Sequence, residues 1–351
     1  FIGMALLVVL SVIKVKVTTR VQLVVGIVTV AIILLVDLVT TAKGGSHGQA
    51  LSAFTFGHTN SGGFNGVFYG IIFGVTSYIG FETAADFGEE TSNPRRYIPI
   101  AVIAATAFAV IFYLWTTYSI TIGYGVKNGV KMGADPVALK TTATTFVGSW
   151  LGTLVEIGGM LAAFIVCVAC ATAASRTLFA MGREGVLPKA FGQTSPRFQT
   201  PVNATIAVTV IATLMALLIG YPLSDGAFGQ PFSNYYFWAT TGTLVIIVVY
   251  IMLCIGGIVF FYRTRATRKW NPVLHVAVPL IGAIVFGAAL YGSIHPTPPG
   301  ILKWTPYVAL VWLVLGIGTL LWLRARRPDA VAQIGSILGE EGGTDAAILD
   351  T

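Results

Sequence analysis

Long apolar runs, broken by short polar segments, dominate this chain. A helix crosses a bilayer with about 20 apolar residues. On that template the sequence predicts spans at 1–13 (partial), 20–41, 64–90, 97–123, 150–180, 202–220, 233–262, 273–294 and 304–323. The longest, such as 233–262, must tilt or project beyond the bilayer. No soluble domain interrupts them. The tail from Arg324 to Thr351 is Gly-rich and turns acidic toward its end, a composition that orders weakly. Two connecting segments are long. Residues 42–63 are rich in Gly, Ser and Thr and carry His47 and His58, and residues 124–149 carry Lys127, Lys131, Asp135 and Lys140. Such segments serve either as lids or as solvated connectors.

Composition agrees with this pattern. Of 351 residues, 55% are hydrophobic and only 10% charged, with a mean hydropathy of +0.82. A soluble domain carries about 25% charged residues, so the reading is an all-α, polytopic integral membrane protein embedded in the lipid bilayer. Lys and Arg then set its orientation. If the spans alternate, Lys14, Lys16, Arg20, Arg95, Arg96, Arg183, Lys189, Arg197, Arg263, Arg265, Arg268, Lys269, Arg324, Arg326 and Arg327 share one side. Only Lys43, Lys127, Lys131, Lys140 and Lys303 lie opposite, while Arg176 falls inside a span. A bias of fifteen to five is a positive-inside signal. It puts the C-terminus and the Asn93–Arg96 loop in the cytoplasm, with the plasma membrane as the expected location. The net charge of +7 is accounted for by this topology and calls for no nucleic-acid partner.

Chemistry-bearing residues are sparse. Cys167 and Cys170 form a C-x-x-C inside an apolar run, with no second pair and no nearby His, which points to packing rather than a metal. His47 and His58 are too isolated for a metal site, and His275 and His295 flank a span and read as interfacial. No span shows a His/Asp/Glu cluster or a Ser–His pair, so neither an enzyme nor a cofactor site is expected. A channel would carry a repeated filter or a charged pore-lining helix, and neither is visible. The chain begins at Phe1 inside an apolar run, without Met, a charged leader region or a cleavage site, and is read as truncated at its N-terminus.

The most informative segment runs from Tyr78 to Pro99. An apolar run from Val67 reaches Tyr78 and meets Gly80, Phe81 and Glu82, with Asp86, Glu89 and Glu90 behind them. Carboxylates after a Gly in a membrane-spanning segment are costly in lipid and mark a functional pathway. A discontinuous helix is how secondary transporters present backbone groups to a substrate at mid-membrane. The competing reading is a Gly tolerated within a continuous helix, with the acids at its cytoplasmic exit.

Here the chain resembles the amino acid–polyamine–organocation (APC) permease superfamily. Tyr78-Ile79-Gly80-Phe81-Glu82, then Glu89-Glu90, Asn93-Pro94, Arg96 and Ile98-Pro99, is similar to the break in the family's sixth helix and the loop after it. Ser175-Arg176 with Leu178-Phe179-Ala180-Met181, Arg183-Glu184-Gly185 and Leu187-Pro188 resembles the cytoplasmic end of the eighth. Thr19-Arg20-Val21-Gln22 and Thr200-Pro201-Val202-Asn203 resemble the starts of the fifth and ninth. The resemblance implies a LeuT-like five-plus-five inverted repeat with two extra helices, its first repeat incomplete. Residues 1–41 would be the remnant of that repeat (the fourth helix in part, and the fifth). Residues 64–262 would form the second repeat, 273–323 the eleventh and twelfth helices, and 324–351 a cytoplasmic tail.

The implied function is secondary transport of amino acids or related amines by alternating access. Free carbonyls at Ile79, Gly80 and Phe81 would accept a substrate ammonium, and Tyr78 and Phe81 would act as aromatic gates. Cys167 and Cys170, with Val166, and Thr240, with Thr241 and Thr243, are further candidates to line the site; threonines bonded to their own helix are the alternative. Glu82 either takes part in proton-linked gating or caps an inner half-helix. Arg176 either latches onto Glu89 or Glu90 or snorkels to the interface. Asp37 and Glu156 read as solvated groups near the outer interface. The coupling lysine of some relatives has no counterpart between Thr29 and Leu35, and Ala169 and Cys170 stand where sodium-coupled relatives use hydroxyls. Exchange, or proton coupling through Glu82, stays open. Oligomeric state is not legible.

Overall fold

The computed structural model describes residues 15–55, 64–84, 91–195, 200–220, 230–265, 270–295, 297–298 and 300–326. Among them there are helices and loops and no strand. The helices are α1 (Val15–Ala42), α2 (Phe64–Tyr78), α3 (Pro94–Tyr124), α4 (Gly129–Ala134), α5 (Ala138–Phe146), α6 (Ser149–Arg183), α7 (Val202–Gly220), α8 (Gln230–Arg263), α9 (Val278–Gly292) and α10 (Thr305–Arg326). A short π-helical turn, Val273–Ala277, leads into α9, and a 3-10 turn, Gly300–Trp304, leads into α10.

Seven of the nine expected spans coincide with helices; the one at 64–90 is α-helical only as far as Tyr78, and the partial one at 1–13 lies outside the described residues. Among the described residues, six segments are long and apolar enough to cross a bilayer: Arg20–Ala42, Arg96–Tyr124, Ser149–Arg183, Asn234–Arg263, Val273–Gly292 and Gly300–Arg326. Their outward faces carry large apolar side chains such as Leu23, Ile103, Met160, Met252, Ile284 and Leu321, each more than half exposed. A water-soluble protein rarely exposes so much contiguous apolar surface; in lipid it costs nothing, and helices satisfy their own backbone groups there. The chain is a multi-pass membrane protein. At 1.5 Å per residue α8, with 34 residues, extends about 51 Å. That exceeds a hydrocarbon core of about 30 Å, so the expectation of tilt or projection stands for it.

The contacts divide the chain into two compact units. One comprises Phe1–Thr29, Gly158–Ala216 and Val314–Thr351; the other comprises Val30–Ile157 and Leu217–Leu313. Within the second, Ile72 of α2, Ile247 of α8 and Ala289 of α9 are buried together. A separate cluster joins Val36 of α1 to Ala143 of α5 and to Leu151 and Val155 of α6. The segment 124–149, expected as a loop or lid, instead folds largely into α4 and α5.

Asp135 organises that segment. Its carboxylate accepts bonds from the Tyr124 hydroxyl, from Thr141 Oγ1 at 2.7 Å and from the Val137 N–H at 2.8 Å. These bonds, Tyr124 foremost, hold the Asp135 carboxyl below its ordinary value. The stabilisation is complete above the unfolded pKa of about 3.9 and is lost as pH falls through the lowered folded value. The thermal midpoint of Asp135→Ala in detergent should therefore lie below wild type at neutral pH, and the gap should close in acid.

Within the first unit, Val168 and Ala171 of α6 are buried, and the partly buried Val208 of α7 packs against them. The residues resembling the eighth-helix motif form a folded turn there. The Met181 carbonyl accepts the N–H groups of Val186 and Leu187, at 2.9 and 3.1 Å, and Gly185 takes a φ of +78°. Asn203 Nδ2 donates to the Ala190 carbonyl at 3.0 Å, which joins the start of α7 to that turn. Gly182 and Gly192 pass so closely that a Cβ on Gly182 would lie 2.5 Å from the Gly192 nitrogen. Backbone on both sides cannot yield cheaply. Gly182→Ala should cost about 1–3 kcal/mol or more, read as loss of folded yield in size-exclusion chromatography.

Candidate functional site

The helix expected over 64–90 ends early. α2 stops at Tyr78 after 15 residues, a length of about 22 Å. That falls short of the about 30 Å of hydrocarbon. Ile79 and Gly80 form a turn, Gly80 takes a φ of +120°, and a single 3-10 turn covers residues 81–84. Residues 85–90 lie outside the described residues, and with them Asp86, Glu89 and Glu90. A φ of +120° is open to glycine and strained for any residue with a Cβ. Nothing lies within 4 Å of where a Gly80 Cβ would sit, so the requirement is conformational rather than steric.

Side chains, rather than a continuing helix, satisfy the backbone here. Tyr113 of α3 donates its hydroxyl to the Ser77 carbonyl at 2.9 Å. Glu82 reaches back, and its Oε2 accepts the Gly80 N–H at 2.9 Å. The Thr83 hydroxyl donates to the Gly80 carbonyl at 2.6 Å, and the Thr83 N–H joins it at 3.2 Å. Of the two readings of Glu82, this geometry supplies the backbone-capping contact, made to the turn before it.

Aromatic rings surround the turn. Tyr78 meets Tyr113 edge-on with centroids 5.3 Å apart. Phe81 stacks on Tyr250 of α8 at 5.9 Å, and Tyr250 in turn contacts Phe286 of α9 at 5.3 Å. The Tyr250 hydroxyl is buried beside the Glu82 carboxylate, close enough to feel its charge but outside hydrogen-bond geometry. One turn earlier, Thr76 and Thr243 share a hydroxyl–hydroxyl bond of 2.8 Å that ties α2 to α8. Each also bonds a carbonyl of its own helix, Ile72 and Ala239 respectively. Loss of the Thr76–Thr243 bond in Thr243→Val should cost about 1 kcal/mol, seen as a lower thermal midpoint in detergent.

Tyr78, Ile79, Gly80, Phe81 and Glu82 are thus gathered at one turn. Thr240 lies on α8 beside Ile72 and Phe73, in a crevice of about 10 Å³ that holds no more than a water molecule. Cys167 and Cys170 are exposed on the part of α6 that belongs to the other unit, as does the partly buried Arg176. The partners expected for Arg176, Glu89 and Glu90, are outside the described residues. Tyr113 and Tyr250 went unnoticed in the sequence, because one aromatic among many in an apolar helix gives no signal of its position. Among the described residues, larger cavities lie elsewhere, between the segment that follows α1 and the end of α3 with the residues after it. One of about 500 Å³ is lined by His47, Ile122 and Lys127 among others, and it is open and formed mainly by loop residues. The turn after Tyr78 is the better candidate, because its chemistry and backbone geometry are the unusual ones.

The sequence profile of a family described as amino acid permease matches residues 1–320. The chain is 29% identical over 157 residues to cationic amino acid transporter 4, vacuolar, of Arabidopsis thaliana, covering 45% of this chain and 26% of that one. It is 26% identical over 262 residues to the branched-chain amino acid permease BcaP of Bacillus subtilis (strain 168), covering 73% and 50%. It is 25% identical over 272 residues to a putative polyamine transporter of Candida albicans, covering 73% and 45%. The chain spans half or less of the length of each of these relatives. With a family profile matched along nearly its whole length and apolar helices that agree with it, the chain belongs to the amino acid permease family of the APC superfamily.

Proposed function

We propose that this chain carries the substrate-binding turn of a secondary transporter for amino acids or related amines, working by alternating access. The observation that carries the reading is the end of α2 at Tyr78, followed by Gly80 at a φ of +120°. An apolar helix that stops short of the bilayer's far face leaves backbone groups with a use other than structure. Carbonyls at the turn other than that of Gly80, which already accepts the Thr83 hydroxyl and N–H, accept an ammonium, and Tyr78 and Phe81 close over it. Glu82 holds the Gly80 N–H in one state and exchanges that bond for a proton or a water in another. In this reading the fold is the five-plus-five inverted repeat, α2 is the outer half of its broken sixth helix, and the C-terminus faces the cytoplasm of the plasma membrane.

Small zwitterionic amino acids or monoamines are the favoured substrates. Among the described residues around the turn Glu82 is the one carboxylate, and its Oε2 is engaged. A second positive charge therefore finds no partner, which ranks dibasic amino acids and polyamines lower. A polyamine or organocation exchanger of the same fold is the second reading, favoured by the relative whose name assigns it polyamine transport. A channel ranks below both. Competition against uptake of a radiolabelled neutral amino acid in proteoliposomes tests the ranking. Neutral amino acids should compete best, and putrescine or arginine outcompeting all of them would reverse it.

A further inference from the structure

Asp37 was expected to be solvated near the outer interface. It is instead fully buried, in the last third of α1, within a segment long and apolar enough to cross the bilayer. Its Oδ2 accepts the Thr116 hydroxyl of α3 at 2.6 Å, but its Oδ1 has no hydrogen-bond partner. The Ser119 hydroxyl lies beside the same carboxylate, close enough to act on it but outside hydrogen-bond geometry. Thr40, one helical turn along α1, is also fully buried with its hydroxyl unpartnered. Three buried oxygens without partners, one of them on a carboxylate, therefore occupy one stretch of the α1–α3 contact.

Among the described residues, no cation is paired with this carboxylate. On α1, Lys43 donates to the Phe146 carbonyl at 2.5 Å. On the packed helices α5 and α6, Lys140 pairs with Glu156 at 2.6 Å, both partly exposed. On α3, the Tyr118 hydroxyl donates to Gln49, the Tyr124 hydroxyl to Asp135 and the Tyr113 hydroxyl to Ser77. An ionised carboxylate removed from water costs several kcal/mol unless a cation or a full set of donors meets it. Hard oxygen ligands of this kind, one carboxylate with hydroxyls, suit a small hard cation. The arrangement is held from both sides: Trp115 Nε1 bonds Thr41 Oγ1 at 3.2 Å, and Thr116 fixes the far carboxylate oxygen.

We propose that Asp37, Ser119 and Thr40 form a buried site for a small monovalent cation, a sodium ion or a proton, which serves as the coupling ion. The site rests on the transporter reading only for the word coupling; binding itself does not require it. It is separate from the Gly80 turn, and it supplies a cation-dependent element that the α1 segment Thr29–Leu35, without a lysine, does not.

The test uses the purified full-length protein in detergent, without substrate. Its thermal midpoint is measured against sodium at fixed pH and ionic strength, with choline as replacement, and then against pH at fixed sodium. The expected result is a midpoint that rises with one of the two cations in wild type and is flat in Asp37→Asn. Ser119→Ala and Thr40→Val should weaken the apparent affinity for that cation, on the order of tenfold. A sodium response identifies sodium as the occupant, and a pH response without a sodium response identifies the proton. Asp37→Asn that keeps the wild-type response to both would overturn the site. Should Asp37→Asn fail to fold, an unchanged response in both hydroxyl variants overturns it equally. Failure of the transporter reading shows differently, as a cation-responsive protein that moves no substrate.

Discussion

Gly80→Ala is expected to remove most substrate uptake while leaving the protein foldable. Gly80 holds a φ of +120°, and the space around it would admit a methyl group, so the penalty is the backbone conformation alone. Such strain amounts to about 1–3 kcal/mol. At about 1.4 kcal/mol per decade, that is roughly a tenfold to hundredfold loss in the population that keeps the turn. The chain relieves the strain by rotating out of it, which breaks the contacts that the Gly80 N–H and C=O make with Glu82 and Thr83. Gly74→Ala is the control. It lies within α2, before the turn, also with nothing within 4 Å, and with no positive φ. There alanine adds helix propensity, up to about 1 kcal/mol, and uptake should stay at the wild-type level. Initial rates in proteoliposomes, corrected for folded yield, compare the two.

The second large effect concerns Glu82. Replacement by Gln keeps an oxygen that can accept the Gly80 N–H but removes the charge that acts on the Tyr250 hydroxyl. If Glu82 only caps the turn, Gln should behave nearly as wild type and Glu82→Ala should lose about 1 kcal/mol of stability. If Glu82 is proton-linked, as we propose, Glu82→Gln should flatten the dependence of uptake on pH while its thermal midpoint stays close to wild type. Uptake measured between about pH 5 and 8 distinguishes them. Superimposable profiles after correction for yield would assign Glu82 to capping alone.

The helical membrane architecture was legible because the bilayer imposes one length and one polarity on every span. Hydropathy read with that length placed α1, α3, α6, α8 and α10 within a few residues of their observed positions. The turn after Tyr78 was legible for a different reason: Gly80 beside a carboxylate in an apolar run is a local anomaly. What escaped depends on which face of a helix meets another helix. Asp37 looked like an interfacial group because it stands near the outer end of the span expected at 20–41. Only its packing against Thr116 and Ser119 reveals it as buried. Tyr250 was hidden in an apolar run for the same reason. The segment 124–149 read as loop because its Gly and polar residues mask two short helices tied by Asp135.

The most direct single measurement is uptake of a radiolabelled neutral amino acid by the full-length protein reconstituted in liposomes, with and without a tenfold excess of unlabelled competitors, relative to empty liposomes (~10-fold changes are resolved at about 1.4 kcal/mol per decade). The expected result is saturable accumulation, suppressed by neutral amino acids and lost in Gly80→Ala. Absence of saturable uptake for every amino acid and amine tried, with folded protein in the membrane, would refute the assignment. So would an equal rate in Gly80→Ala, which would place the substrate away from the turn that follows Tyr78.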